Sequence, residues 1–467
     1  MRPDILWQVS DAVVAMNVPS CHVAEGPISG ISIDSRTVQK DDLFFAILGD
    51  QLDGHDYVEQ AIAAGARAAV VSRSVAGVGD AQLIHVGDTL EALNRLGIAA
   101  RARSDAKVIA ITGSVGKTGT KEALRLALGK CGRVHAAVAS FNNHWGVPLT
   151  LARWPRNSDF AIFEIGMNHA DEITPLVKMV RPHIAIITNV AAVHLKYFSS
   201  VDEIAKAKAE IFDGLEAGGT AVLNRDNDYF DFLSNAAHNA GAAKIISFGE
   251  HDEAMVRLVR CDLYGDKSNV TVDIMGQSIT YDIGAPGKHF VFNSLSVLAA
   301  VKEAGGDVNV AAAALKDWVA PAGRGARHNL KINKGLAVLI DETFNANPAS
   351  MRAALATLAS SKPQGGGRRI AVVGDMLELG EISKEAHREL LQPMLAAGVD
   401  KIFAAGADMK FLWDDVPAEL RGVYAPAALG LEKDLIAAVQ PGDVIMIKGS
   451  KGSQLGPLVD ALLTYFR

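Results

Sequence analysis

Residues 109–120 read IAITGSVGKTGT. A short β-branched run ends at a glycine turn, and a lysine and a threonine open a helical pattern. Such a unit suits phosphate. Backbone N–H groups of the turn and of the helix N-terminus point at the anion, and the helix dipole adds to them. Lys117 can reach the β- and γ-phosphates, and the Thr118 hydroxyl can coordinate Mg2+. The common phosphate loop, G-x-x-x-x-G-K-[ST], has four residues between its glycines. Here only Ser114 and Val115 separate Gly113 from Gly116. On this segment alone, a tight turn with an incidental Gly-Lys-Thr is the competing reading.

A triphosphate site needs metal ligands beyond one threonine, and Mg2+ takes oxygen. Glu164 ends the next buried strand, in FEIGMNH. A carboxylate there is costly unless it is paired or metal-bound. His194 closes HIAIITNVAAVH, after the strand-like run, and a neutral imidazole is an acceptable, less typical ligand. In isolation His194 reads as a loop histidine without a role, Lys208 as an exposed helical lysine and Arg324 as a surface arginine.

Positioning these groups requires buried strands that end near one another. FAIFEIG, HIAIITNV and GTAVLNRD are continuous apolar runs, as a parallel sheet covered on both faces requires. Before them, DDLFFAIL, YVEQAIAAGARAAVV as a helix closed by Gly65 and then a strand, and AQLIHVGDT make a small α/β unit. NVTVDIMGQSITYDIG alternates about a Met-Gly-Gln turn and reads as a hairpin, with a helix in NSLSVLAAVKEAGG. GLAVLIDE, RRIAVVGD, DKIFAAGAD and GDVIMIKGS are strand-like runs of a further unit, and KPQGGGRR reads as a loop. The expected fold class is α/β in three domains. These are a small N-terminal α/β domain (1–87), a central ATP-binding domain with a parallel sheet (88–321) and a Rossmann-like C-terminal domain (322–467). Polar residues gather at the C-terminal ends of the runs: Thr112, Glu164, Thr188, Asp226, Asp341, Asp375 and Lys448 among them. Open parallel sheets bind ligands at those ends. A cleft between the second and third domains is therefore the natural site.

The chain has 467 residues, enough for about three domains. Its net charge of −7 argues against a non-specific nucleic-acid binder, although local Lys and Arg can still build an anion pocket. The three cysteines, Cys21, Cys131 and Cys261, form no CxxC pair. That points to a reducing cytoplasm, without a disulfide framework or zinc knuckle. MRPDILWQVSDAVV does not read as a secretory signal, and no apolar run is long enough to span a membrane.

In order along the chain, TGSVGKT, EIGMNH, ITNVAAVHL, AKAEIF, GKHFVFNSLSVLAA, PAGR, IDETFNANPASM, VVGDMLELGEIS and IKGSKGS resemble the motifs of the Mur ligase family. These are ATP-dependent amide ligases of cell-wall synthesis, with folylpolyglutamate synthases as cousins. The family's phosphate loop, T-G-x-x-G-K-[ST], has the short glycine spacing found here, and the resemblance covers essentially the whole chain. FNNHWGVPLTL, FNANPASM and GDMLELG resemble the D-alanyl-D-alanine-adding branch, and the D-N-P-R motif of the diaminopimelate-adding branch is absent. The resemblance implies that ATP, with Mg2+, phosphorylates the terminal carboxylate of UDP-N-acetylmuramoyl-tripeptide. The amine of D-alanyl-D-alanine then attacks the acyl phosphate, in a cytoplasmic, monomeric enzyme. The nearest alternative adds a different amino acid or extends folate. A nucleotide-binding regulator without turnover is a different class, against which Lys117, Glu164, His194 and Lys208 argue together.

The resemblance also implies roles. Gly113, Ser114, Val115, Gly116, Lys117, Thr118 and Gly119 would cradle the ATP phosphates. Thr118, Glu164, His194 and Lys208 would surround magnesium, Lys208 as a carbamate. Lys117, Lys208, His194 and Arg324 would be catalytic. Asn293 would contact adenine, and Arg324 and Asp341 the phosphates and ribose, with Asn345 and Asn347 in the same cleft. Ser35, Arg36, Asp53 and His55 would hold the uridine diphosphate, Asn142 and Asn143 the sugar-peptide, and Lys448 and Ser450 the dipeptide. Val115, Gly119 and Lys196 depart from the family pattern, which has Asn, Ser or Thr, then Thr or Ser, then Glu there.

Overall fold

The computed structural model describes residues 5–49, 51–193, 195–332 and 335–467. Three main sheets carry the chain. The first has four parallel strands in sequence order, Gly30–Ser32, Asp42–Phe45, Ala68–Val71 and Leu83–His85. A small antiparallel pair, Trp7–Gln8 with Pro27–Ile28, precedes it.

The central sheet has nine strands. Lys107–Thr112 lies between Phe160–Glu164 on one side and Ile184–Ile187 on the other, parallel to both. Val134–Ala136 closes one edge beyond Phe160–Glu164. The sheet continues the other way through Thr220–Asn224, Lys244–Gly249 and Val256–Leu263, all parallel. It ends in an antiparallel hairpin, Ser268–Ile274 with Gln277–Ile283. Met275 and Gly276 in its turn both have positive φ, 54° and 89°, as a two-residue turn matched to strand twist requires. The chain changes crossover direction beside Lys107–Thr112, so the glycine turn after that strand opens at a topological switch point.

The third sheet runs Ala326–Ile332, Gly335–Glu342, Val444–Lys448, Arg369–Gly374, Lys401–Ala405 and Arg421–Ala425. Only the first pairing is antiparallel. Its inner strands Val444–Lys448, Arg369–Gly374 and Lys401–Ala405 are nearly continuously apolar because both faces are covered. Ala371, Val373 and Met446 join one core, and Ile370, Val372, Ile445 and Ile447 join the other. The central sheet divides likewise, Val108 and Ala110 against Ile109 and Ile111.

One core runs from the first sheet into the central one. Trp7 Nε1 donates to the Ala152 carbonyl at 2.9 Å, Arg153 Nε to the Ile31 carbonyl at 2.6 Å, and the Arg103 guanidinium lies 3.4 Å over the Trp7 ring. These contacts fix the first domain on the back of the helix Gly146–Ala152, whose preceding loop carries Asn142 and Asn143. Among the described residues no helix is long and apolar enough to cross a membrane.

Candidate active site

A cavity of about 440 Å3 opens where the C-terminal ends of the central and third sheets face each other. Ser114 to Lys117, Gly119, Asn142, Asn143, Glu164 and Asn293 line it from the central domain. Arg324, Asn345, Asn347 and Lys448 line it from the far side. Residues up to 334 positions apart in the chain thus meet in the expected cleft.

The glycine turn is held by the loop after the neighbouring strand. Ser114 N–H donates to the Asn189 carbonyl at 2.8 Å, and the Ser114 hydroxyl to the Ala191 carbonyl at 3.0 Å. Thr188 Oγ1 donates to the Val115 carbonyl at 2.6 Å. Gly116 starts the helix Lys117–Leu128 with φ 89°, and a Cβ there would fall 2.7 Å from Asn293 Oδ1. Glycine is the residue that accepts this backbone without strain. Gly119 has a local account too: Asn293 Nδ2 would lie 3.3 Å from a Cβ at that position. The small residue leaves room for the asparagine over the first helical turn. At Val115 the loop is held through the backbone carbonyl, which any residue supplies.

Lys117 Nζ donates to the Gly113 carbonyl at 2.7 Å. Burial lowers its pKa, Glu164 opposes that shift, and Arg324 adds to it. Thr118 Oγ1 donates to Glu164 Oε2 at 2.9 Å, and Asn142 Nδ2 donates to Glu164 Oε1 at 2.7 Å. Ser140 Oγ is 2.9 Å from Thr118 Oγ1 and accepts from Arg324 Nη2 at 3.1 Å. Lys208 is 2% exposed. Burial first, then repulsion from Lys117, holds its pKa well below the ordinary lysine value, with Glu210 opposing. His194 lies outside the described residues.

The donors beside the phosphate loop fit a hard cation. They are a hydroxyl and a carboxylate, both oxygen, within one hydrogen bond of each other, at the mouth of an anion-binding turn. Among the described residues no cluster of three or more His, Cys, Asp or Glu side chains is poised for a metal. Phosphate and water oxygens are the usual remaining ligands of such a shell.

The third domain presents the Arg324 guanidinium over the Phe344 ring, 3.7 Å from its centroid. Burial lowers the guanidinium pKa, with Glu164 and then Glu342 opposing. Asp341 is turned to its own backbone. It accepts from Gly323 N–H at 2.7 Å and from the Thr343 hydroxyl at 2.7 Å, and so fastens the turn that carries Arg324. Lys448 donates to the Asn345 carbonyl at 2.9 Å and lies 3.5 Å from Glu342 Oε2. Burial pushes the Glu342 carboxyl up and the Lys448 ammonium down. Asn347 caps the helix Pro348–Ser360 through a reciprocal pair with Ser350. Ser450 is not among the cavity-lining residues; its hydroxyl accepts from Leu377 N–H at 2.9 Å and holds that loop.

The four residues expected at the first domain lie outside this cavity. Ser35 donates to Gln60 at 2.9 Å, and Arg36 pairs with Asp34 at 2.7 Å. Asp53 accepts from His55 and from Arg73 Nη2, while His55 Nε2 accepts from Ser72 N–H at 3.0 Å. This network fixes the imidazole with its proton on Nδ1. The loop before Asp53 reaches the central domain at Gly49, where a Cβ would come 3.7 Å from Trp145 Cη2. It thus adjoins the segment bearing Asn142 and Asn143. Lys196 places its ammonium 5.5 Å over the Tyr197 ring, and its N–H donates to the Glu378 carbonyl at 3.1 Å. Sequence reasoning passed over Ser140, Lys121, Thr188 and Glu342 as site residues. Thr188 and Glu342 carried a signal, as polar ends of apolar runs; Ser140 carried none.

The Mur ligase middle domain profile matches residues 111–301, the Mur ligase catalytic domain profile residues 27–124, and the Mur ligase glutamate ligase domain profile residues 326–451. The UDP-N-acetylmuramoyl-tripeptide--D-alanyl-D-alanine ligase of Rickettsia prowazekii is 35% identical over 98% of this chain and 99% of its own length. The chain belongs to the Mur ligase family. The Escherichia coli ligase of the same name is 33% identical over 94% of each chain. Among solved structures, MurF from Acinetobacter baumannii superposes with a TM-score of 0.85 at 28% identity, covering 99% of this chain and 100% of that one. MurF ligase from Thermotoga maritima, in complex with ADP, shares the Mur ligase fold with a TM-score of 0.78 at 23% identity, over 94% and 97% of the two chains.

Proposed function

We infer that this chain is the ATP-dependent ligase that joins D-alanyl-D-alanine to UDP-N-acetylmuramoyl-tripeptide, giving the pentapeptide precursor of peptidoglycan, ADP and phosphate. One observation carries the reading: a single cleft gathers the short phosphate loop, the Thr118–Glu164 oxygen pair and Arg324 from across the domain boundary. Relatives of that activity align along nearly the whole chain.

A carboxylate is a poor electrophile, and phosphorylation gives it a leaving group. Lys117 and Arg324 face the cleft from opposite sides and would stabilise charge on the transferring phosphoryl group. Magnesium, held by Thr118, Glu164, His194 and carbamylated Lys208, would supply further positive charge there. The lowered Lys208 pKa favours the neutral amine, the form that adds CO2 with loss of a proton. Asn293 and its helix would receive the adenine, and Asp341 would act through the Arg324 turn. Asn142 and Asn143 would meet the peptide carboxylate, and Lys448 the dipeptide, with Ser450 positioning the loop beside it. Ser35, Arg36, Asp53 and His55 would anchor the uridine diphosphate. Holding three reactants between domains removes entropic cost and keeps water from the acyl phosphate. The reading places domain boundaries near residues 87 and 321 and includes a monomeric, cytoplasmic enzyme.

The test is phosphate release from ATP. It is expected only with Mg2+, UDP-N-acetylmuramoyl-tripeptide and D-alanyl-D-alanine together. Robust turnover with glutamate or diaminopimelate in place of the dipeptide would overturn the assignment.

A further inference from the structure

Lys121 has no exposed side-chain surface, which is unusual for a lysine. It lies one helical turn beyond Lys117 on the same helix, Lys117–Leu128. Its Nζ donates to the Ala137 carbonyl at 2.8 Å and to the Ala139 carbonyl at 3.1 Å, and pairs with Glu122 Oε1 at 2.9 Å. A buried ammonium is tolerated only when its hydrogens are used this way.

The segment it holds runs from the strand Val134–Ala136 to Phe141, which packs against the core, and Lys121 is what ties the stretch between them to the helix. Ala137 is buried, but Val138 is 87% exposed and Ala139 is exposed as well. Small exposed side chains bury almost no apolar area, so the backbone carbonyls are the handle. The next residue is Ser140, whose hydroxyl meets Thr118 Oγ1 at 2.9 Å and receives Arg324 Nη2 at 3.1 Å. Asn142, two residues on, meets Glu164. Ser140 thus touches a phosphate-loop residue on one side and an arginine from across the domain boundary on the other.

We propose that Lys121 and Ser140 form a positioning pair: Lys121 clamps the 137–141 segment so that Ser140 aligns Arg324 with the phosphate loop. This rests on the ATP-site reading above but not on the identity of the acceptor amine. Lys121 touches no reacting atom and is a positioning residue.

The experiment is a double-mutant cycle on binding of a non-hydrolysable ATP analogue with Mg2+ to the full chain, by calorimetry. No acceptor is needed, so failure of the dipeptide assignment leaves the result readable. Ser140→Ala removes one hydrogen bond to a cation and is expected to weaken binding roughly tenfold. Lys121→Met is expected to weaken it at least as much, with faster amide hydrogen exchange confined to residues 137–142. In the Lys121→Met background, Ser140→Ala is expected to cost nothing further. Lys121→Gln, which keeps a neutral N–H donor group in place of the ammonium, should fall between wild type and Lys121→Met. Independent, multiplying effects would overturn the proposal, as would unchanged binding in either single variant. A Lys121→Met chain that fails to fold, with Lys121→Gln binding like wild type, would assign the lysine to stability alone and also overturn it.

Discussion

The hydroxyl of Thr188 occupies the space that a side chain on Gly113 would need: a Cβ there would fall 2.0 Å from Thr188 Oγ1. The same hydroxyl holds the Val115 carbonyl at 2.6 Å. Gly113 and Thr188 are therefore one device, and it closes a turn with two residues between its glycines. Gly113 has φ 148°, so substitution adds backbone strain to the clash. Gly113→Ala is expected to lower kcat/KM for ATP roughly 10- to 100-fold. Gly119→Ala, which meets only the Asn293 amide at 3.3 Å, should cost less than about tenfold. Equal losses in a phosphate-release assay would refute the distinction.

Lys117→Ala should abolish turnover, by roughly 10^2- to 10^3-fold or more, through loss of a cation at the transferring phosphoryl group. The fold should survive. Burial works against the Lys117 charge, so its removal relieves a desolvation cost, and the melting temperature should hold or rise. An active Lys117→Ala protein would exclude the phosphate-loop role.

Glu164 accepts from Thr118 and Asn142 on its two oxygens. Glu164→Gln keeps the shape but turns one acceptor into a donor facing a donor. The Mg2+ concentration for half-maximal phosphate release should rise about tenfold or more. An unshifted Mg2+ titration would show that Glu164 only ties strand to loop.

Arg324 combines stacking on Phe344 with donation to Ser140. Lysine keeps the charge but lacks the planar fork that does both. Arg324→Lys is expected to lower kcat about tenfold or more without changing the melting temperature. Wild-type kcat in this variant would reduce Arg324 to a bare charge.

His135 stacks on Trp154 and bonds to the Thr150 carbonyl at 2.7 Å. Burial holds its pKa down to about 4 from an ordinary 6.5, with the Thr150 bond opposing and Arg153 assisting. A depressed histidine is neutral in the fold and charges more readily when unfolded. Its contribution is therefore complete above about pH 6.5 and is lost as pH falls toward 4, roughly 3 kcal/mol over that window. Urea unfolding at pH 7 and pH 5 should show the fall, and His135→Gln should flatten it. The same slope in the variant would place the acid sensitivity elsewhere.

Much of this protein was readable in one dimension. The apolar runs Lys107–Thr112, Phe160–Glu164, Ile184–Ile187, Gly335–Glu342 and Val444–Lys448 are strands as expected, because a sheet covered on both faces leaves no room for polar alternation. Their polar ends pointed to the cleft for the same reason: a polar residue survives there only at the sheet edge. The rule did not hold everywhere. Asp226 accepts from Glu250 N–H and His251 N–H, and Asp375 from Met409 N–H. A strand-end carboxylate that caps a local turn looks the same in sequence as one that faces a ligand. Val256–Leu263 and Ala326–Ile332 carry exposed polar positions, and so lacked the continuous apolar signal.

The sequence by itself determined the short phosphate loop, the three α/β domains and the ordered motifs of a Mur ligase, because local backbone chemistry and apolar periodicity are properties of neighbours along the chain. Only the tertiary structure decided that Thr188 holds the loop, that Gly119 makes room for Asn293, that Asp341 serves its own turn while Glu342 faces the cavity, and that Lys121 and Ser140 join the helix to Arg324. Those relationships depend on distances between segments many residues apart. They are set by how the sheets pack against one another, and no spacing within a single segment encodes them.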